Sequence, residues 1–300
     1  MFKNVSVFKI TLPQPVLAFA LQDAAQEHQF TPCGPTQERS VGWVPPRGQE
    51  HGAMVESIGG QLIMRLMIET RAVPAEAIKR AVDEAATKIE KREGRKPGKK
   101  ERKGLADEAL LSLLPNAFTK QSAVTVWIDP ANGRMVASTA SQALLDVVLS
   151  EIVSLGDGIR VHPLVTGLSP SSVMSTWLVN SSTGSDEKFD IGRSCDMKSC
   201  DETKSTVRYA KHPLDTDEVR EHIVSGKIVT KLQLTYDGRV TFDLDAGGAM
   251  RKINFLDVVF FDRVASAEDA FDADVAILTG EFSKLIPDLI DALGGEVEGV

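Results

Sequence analysis

One helical pattern, interrupted once inside a run of charge, constrains the fold more than anything else in this sequence. Ile78, Val82, Ala85 and Ile89 recur at i, i+4, i+7 and i+11. They draw one narrow apolar stripe on an otherwise charged helix that begins near Pro74. Gly94, Pro97 and Gly98 break the pattern, and a second helix is predicted from Leu105 to Leu114. That helix carries Leu110, Leu111, Leu113 and Leu114, a wider apolar face. Two helices joined by so short a break return antiparallel, so 75–118 reads as a helical hairpin whose stripes close on each other. Its tip is residues 88–103, in which nine of sixteen residues are Lys or Arg and three are Glu. The tip carries +6 on a chain of net charge −8, which leaves −14 on everything else. A basic tip on an acidic body fits a polyanion partner, because Lys and Arg on nucleic acid release condensed counterions. The plain alternative is a solvated, charged turn that keeps the protein in solution.

At 300 residues and 42% hydrophobic, the chain can bury a sizeable core, as one large α+β unit or two to three small domains. No apolar run approaches the ~18 residues of a membrane span. Met1–Leu12 alternates instead of forming a signal peptide's apolar block. Three cysteines, Cys33, Cys195 and Cys200, suit a reducing cytoplasm better than a disulfide framework. A soluble, cytoplasmic protein is expected.

Period-2 alternation predicts a strand at 4–12, and 61–70 and 122–129 read as further strands, the last turning at Asn132-Gly133 into 135–138. Further strands are expected at 159–164, at 228–236 with an Asp237-Gly238 turn into 239–244, and at 252–261. Helices are predicted from Val16 to Gln26, Ser141 to Ser154, Ser169 to Leu178, Thr216 to Val224, and Glu281 to Leu293, the last preceded by Val275–Leu278. Thr31–Gly34 and Gly42–Pro46 read as irregular, and the small, polar stretch 181–206 as a boundary or long loop. Val240, Phe242 and Leu244 alternate with Arg239, Thr241 and Asp243, which places Asp243 on a wet face. The expected organisation is 1–74 with 119–180 as one α+β region, 75–118 as the hairpin, and 181–300 as a C-terminal α+β region.

Motifs for chemistry are sparse. His28, His51, His162, His212 and His222 form no His-x-x-x-His pair and flank no nucleophile signature, so they read as isolated loop or surface residues. Cys195 and Cys200 lack a second ligand pair for a structural zinc site. No phosphate-binding P-loop and no Gly-x-Gly-x-x-Gly occurs, which argues against a motor, a helicase or a nicotinamide enzyme. No zinc-finger, helix-turn-helix or RNP signature stands out, so any DNA contact should fall on phosphates rather than base edges. Asp243/Asp245 and Asp272/Asp274 are i, i+2 carboxylate pairs that on a strand would share a face and could hold Mg²⁺. Ordinary solvent-facing acids explain them equally well.

A series of ordered segments resembles the RdgC family of bacterial recombination-associated DNA-binding proteins. They are Phe2-Lys-Asn, Phe30-Thr-Pro-Cys-Gly34, Gly42-Trp-Val-Pro-Pro46, Leu113-Leu-Pro-Asn-Ala-Phe118, Trp127-Ile-Asp129 and Gly226-Lys-Ile-Val-Thr-Lys-Leu232. Phe271-Asp-Ala-Asp274, Thr279-Gly-Glu281 and Ala292-Leu-Gly-Gly-Glu296 complete the series, which spans essentially the whole chain. The resemblance implies an α+β fold of antiparallel sheets and packed helices, with a protruding two-helix finger and subunits pairing into a ring-shaped homodimer. It implies binding of duplex DNA with little sequence preference, association with the nucleoid, and restraint of RecA-driven strand exchange in recombination and replication. It implies neither an enzyme nor a cofactor.

The family's finger matches the hairpin, which assigns DNA contact to Lys88, Lys91, Arg92, Arg95, Lys96, Lys99, Lys100, Arg102 and Lys103. Phe118 matches a Phe that packs into the partner subunit, the kind of lone aromatic that can fill a partner's pocket. Lys211-His212 matches a Lys-Gln pair at a second interface. The His replaces Gln and would make that contact sensitive between about pH 5 and 8. The stretch 181–206 departs from the family's pattern. Two other classes stay open: a Mg²⁺-dependent nuclease using Asp243/Asp245 or Asp272/Asp274, and a protein-interaction module whose basic tip docks on acids. Residues 262–300, with ten acids against two bases, are one such acidic stretch.

Overall fold

Alternation builds the first sheet. In Ser6–Thr11 (β1), Phe8 and Ile10 point to one face, and Val7, Lys9 and Thr11 to the other. The structure, a computed structural model, describes residues 2–13, 18–183, 188–261 and 270–297. After β1 come α1 (Ala18–Glu27), β2 (Arg39–Val44), β3 (Val55–Ile58) and β4 (Gln61–Arg71). The helical pair α2 (Ala75–Glu93) and α3 (Lys99–Leu113) follows, then β5 (Thr119–Asp129), β6 (Arg134–Ala137), α4 (Gln142–Val153) and β7 (Arg160–Pro163). These strands form one antiparallel sheet in the order β2-β4-β5-β6-β1-β7, with β3 also paired to β4. Leu21 and Ala25 of α1 and Leu145, Val148 and Ile152 of α4 cover one face, over Met64, Leu66, Val126 and Met135.

The second sheet has the order β12-β11-β10-β8-β9. Its strands are β8 (Phe189–Ser199), β9 (Thr206–Tyr209), β10 (Lys227–Tyr236), β11 (Val240–Asp245) and β12 (Met250–Phe255). Leu232, Leu234 and Tyr236 stand opposite Leu244, Phe242 and Val240 and make its apolar face. Helix α5 (Pro170–Asn180) packs on β10, with α6 (Asp217–Val224) beside it.

Between the sheets runs α7 (Ala270–Ala292). Its Val275, Phe282, Leu285 and Leu289 share one core with Ile63, Trp127 and Val136 of the first sheet and Leu234, Phe242 and Leu244 of the second. Phe282 meets Phe2, Trp127 and Phe255 with ring centroids 5.6, 6.1 and 5.4 Å away. The chain start stitches the sheets together, because Val5 exchanges backbone hydrogen bonds with Met250 (2.8 and 3.0 Å) before entering β1.

Several expectations change. The polar stretch 181–206 is no linker: β8 pairs with both β9 and β10, burying Cys195 and Met197. Gly42–Pro46 is not irregular throughout, since Gly42, Trp43 and Val44 belong to β2. A Cβ on Gly42 would meet the Phe30 backbone at 2.4 Å, so the glycine marks close approach of two chain segments. Val275–Leu278 lies inside α7, and 252–261 divides into β12 and a 3₁₀ turn at Asp257–Phe260. Helix α3 starts at Lys99, not Leu105, and Leu111 is 59% exposed instead of joining an apolar face. Asp243, expected in solvent, is buried. The predicted start of the first helix, at Val16, lies outside the described residues.

Candidate nucleic-acid interface

The hairpin forms because each break in the helical pattern has its own geometry. Gly94 ends α2 in the left-handed region (φ 67°), donating its N–H to the Glu90 carbonyl at 2.9 Å, a conformation that costs a side chain but not glycine. Pro97 is buried in the turn, and Glu101 reaches back to the Gly98 N–H (3.4 Å) at the start of α3. Val82 and Ala86 of α2 and Ala109 of α3 are the buried residues of the pair.

All nine basic side chains of the tip are exposed, and they divide into two sets. Arg95 grips Glu101 through two hydrogen bonds (2.8 and 3.3 Å) and reaches Glu93 at 2.7 Å, which clamps the turn. Arg102 pairs with Asp83 across the two helices, Arg92 with Glu93 (2.6 Å), and Lys96 lies 4.0 Å from Glu90. The hydrogen bonds from Arg95 and Arg92 hold the Glu101 and Glu93 carboxyls below the usual carboxylate range. Lys88, Lys91, Lys99, Lys100 and Lys103 form no ion pair among the described residues and present five uncommitted charges to solvent. Such a surface can neutralise phosphates at several points without reading bases.

The base of the hairpin is held by a clip that the sequence did not reveal. Arg71 donates to the carbonyls of Pro115 (3.0 Å) and Leu114 (3.4 Å) after α3, and to that of Cys33 (3.3 Å). Beneath it, the buried Glu69 accepts the Cys33 N–H (2.8 Å) and the Gln121 amide (2.6 Å), and these bonds hold its carboxyl below the usual range. Two of the motif segments, Phe30–Gly34 and Leu113–Phe118, thus meet at one arginine. The only sequence signal was the Gly/Pro punctuation of those segments.

Phe118 follows this base and is 95% exposed, so its own core does not hold it. Lys211 is exposed with φ 56°, while His212 is half-buried. The His212 backbone N–H donates to the Arg193 carbonyl (2.9 Å), and its ring lies 5.3 Å from Tyr209. Phe118 therefore sits on the first sheet's side and Lys211–His212 beside the second.

The carboxylate pairs are engaged elsewhere. Asp243 lies 2.9 Å from Lys252, and Asp245 lies 2.6 Å from Arg251 while capping the N–H groups of Gly247 and Ala249. Asp272 lies 2.5 Å from Arg47. Asp272 and Asp274 stand on a helix, where residues two apart do not share a face. Among the described residues no group of three or more His, Cys, Asp or Glu is placed to hold a metal ion. The cysteines are free, and burial pushes the Cys195 thiol up to about 12.

No helix among the described residues is long and apolar enough to cross a membrane. The sequence matches, over residues 1–296, the family model RdgC, whose description reads "Putative exonuclease, RdgC". It is 35% identical to the "Recombination-associated protein RdgC" of Janthinobacterium sp. (strain Marseille), over 99% of both chains. Proteins of the same name from Dechloromonas aromatica (35% identical, 99% of this chain and 98% of the relative) and Bordetella pertussis (30%, 98% of each) are similar along their whole length.

Proposed function

We propose a function that starts from one fact: the chain belongs to the RdgC family. A role in recombination follows from that membership. The finer reading is that the protein binds double-stranded DNA without sequence preference, as a ring-shaped homodimer, on the nucleoid. By occupying duplex it restrains RecA-mediated strand exchange. The observation that carries DNA binding is the hairpin tip, with five exposed lysines left uncommitted on a chain that is otherwise strongly acidic. In this reading α2 and α3 act as a finger, Arg95 and Arg102 shape it, and the lysines touch phosphate. Phe118 and Lys211–His212 serve the two interfaces of the dimer.

Gel shifts on closed circular and short linear duplex at two salt concentrations test the reading. Changing Lys88, Lys91, Lys99, Lys100 and Lys103 to Ala should weaken binding on both substrates. It should also flatten log K against log salt by about 0.9 for each phosphate that is no longer neutralised. Wild-type protein that leaves duplex unshifted at low salt would sink the proposal.

A second reading is a Mg²⁺-dependent nuclease; the word exonuclease in the family model's description speaks for the hydrolysis, not for the metal. Incubation of linear duplex with protein and Mg²⁺ separates the two, because an exonuclease works from an end: shortening that disappears in Asp243→Ala supports hydrolysis, whereas full-length duplex under saturating protein supports passive binding.

A further inference from the structure

Strand register places a second set of cations together, far from the hairpin in sequence. Lys9 on β1 stands directly opposite Arg134 on β6 and, on its other side, opposite His162 on β7. Two residues along the same face, Thr11 stands opposite Arg160. Direct antiparallel partners point to the same side of a sheet, about 5 Å apart. Arg134, Lys9 and His162 therefore form a row across three strands, spanning roughly 10 Å, with Arg160 beside it. Val136 and Val7, two residues the other way, join the interior core, so the row continues the sheet face where that core ends.

Like charges directly opposite on a sheet repel. A row of this kind gains stability when an anion lies across it. One anion of the chain already does so in part: Glu296, from the segment after α7, lies 2.8 Å from Lys9. Arg134 and Arg160 form no ion pair among the described residues. The nearest carboxylate in register with Arg134 is that of Asp129, which is buried and bonded to the Asn132 amide (2.7 Å). Arg160 and His162 are exposed and Arg134 half-exposed, so these positions of the row face solvent, while Lys9 is already engaged.

We propose that this row is a second phosphate-binding surface for the DNA backbone, on which Glu296 holds Lys9 until nucleic acid displaces it. The proposal rests on the DNA-binding reading above and adds to it a surface that the hairpin does not supply.

The test is a salt titration of duplex affinity, read by fluorescence anisotropy, with three proteins. Arg134→Gln/Arg160→Gln should bind more weakly at every sequence tried, with the salt slope lower by about 2, one for each phosphate left without its arginine. Its thermal midpoint should stay level or rise, because two repelling charges are gone. Glu296→Gln should bind duplex more tightly than wild type at low salt. Wild-type binding with an unchanged slope in the double variant overturns the second surface and leaves the hairpin reading standing. No binding by wild type overturns both. Equal duplex affinity of Glu296→Gln and wild type, with a lowered thermal midpoint, would assign the row to docking the chain's own end and likewise overturn the proposal.

Discussion

Phe118 shows how a single residue's surroundings limit what it can do. A phenylalanine 95% exposed contributes almost nothing to the fold of its own chain. Phe118→Ala should shift unfolding by less than about 0.5 kcal/mol, as surface substitutions do. If it is the anchor of a dimer interface, the same change should weaken self-association by about 2 kcal/mol or more, roughly thirtyfold, in sedimentation equilibrium. Glu281 is the opposite case. It is buried on α7 and takes two hydrogen bonds from Arg239 (2.7 and 2.9 Å), which hold its carboxyl below the ordinary value of 4.5. A depressed carboxyl stabilises the fold fully above its unfolded pKa and loses that contribution as pH falls through the folded value. Glu281→Gln should cost about 1–3 kcal/mol at neutral pH. Urea midpoints measured downward from pH 5 should fall less steeply in the variant than in wild type.

At the scale of elements, the α2–α3 hairpin was legible and its anchoring was not. The stripe at Ile78, Val82, Ala85 and Ile89 and the break at Gly94–Gly98 are local signals, and the helices follow them. The clip at Arg71 joins residues from 33 to 115, and nothing local announces it. Arg71→Ala should leave both helices intact by circular dichroism while hydrogen exchange speeds up around 114–119 and 33–38. Unchanged exchange there would mean that the hairpin base is held by packing alone. Strand β8 was missed for a related reason. Its residues are small and polar, but β10 and β9 on either side supply its hydrogen bonds and Cys195 and Met197 supply its buried face. Strand propensity here came from tertiary pairing.

For the molecule as a whole, α7 decides how the two sheets behave. Its apolar side chains are buried in the core that joins the two sheets, whereas α1 and α4 close the other face of the first sheet without it. Phe282→Ala should cost about 3–5 kcal/mol, because a fully buried aromatic leaves a cavity that its neighbours fill only in part. The loss should appear as one cooperative transition by intrinsic fluorescence and circular dichroism alike. Two separated transitions would show that the sheets fold as independent units.

The sequence by itself determined the elements whose signals are local: the alternating strands with Asn-Gly and Asp-Gly turns, the amphipathic α4, the basic hairpin tip and the family resemblance. Only the tertiary structure decided which strands share a sheet, that α7 runs unbroken from Ala270 to Ala292, and that Asp243 is buried against Lys252. It also divided the basic tip into cations that hold the turn and cations left for a partner. Periodicity reports which way a side chain points relative to its own neighbours. Pairing, burial and charge neutralisation depend on residues far away in sequence, which meet only when the chain has folded.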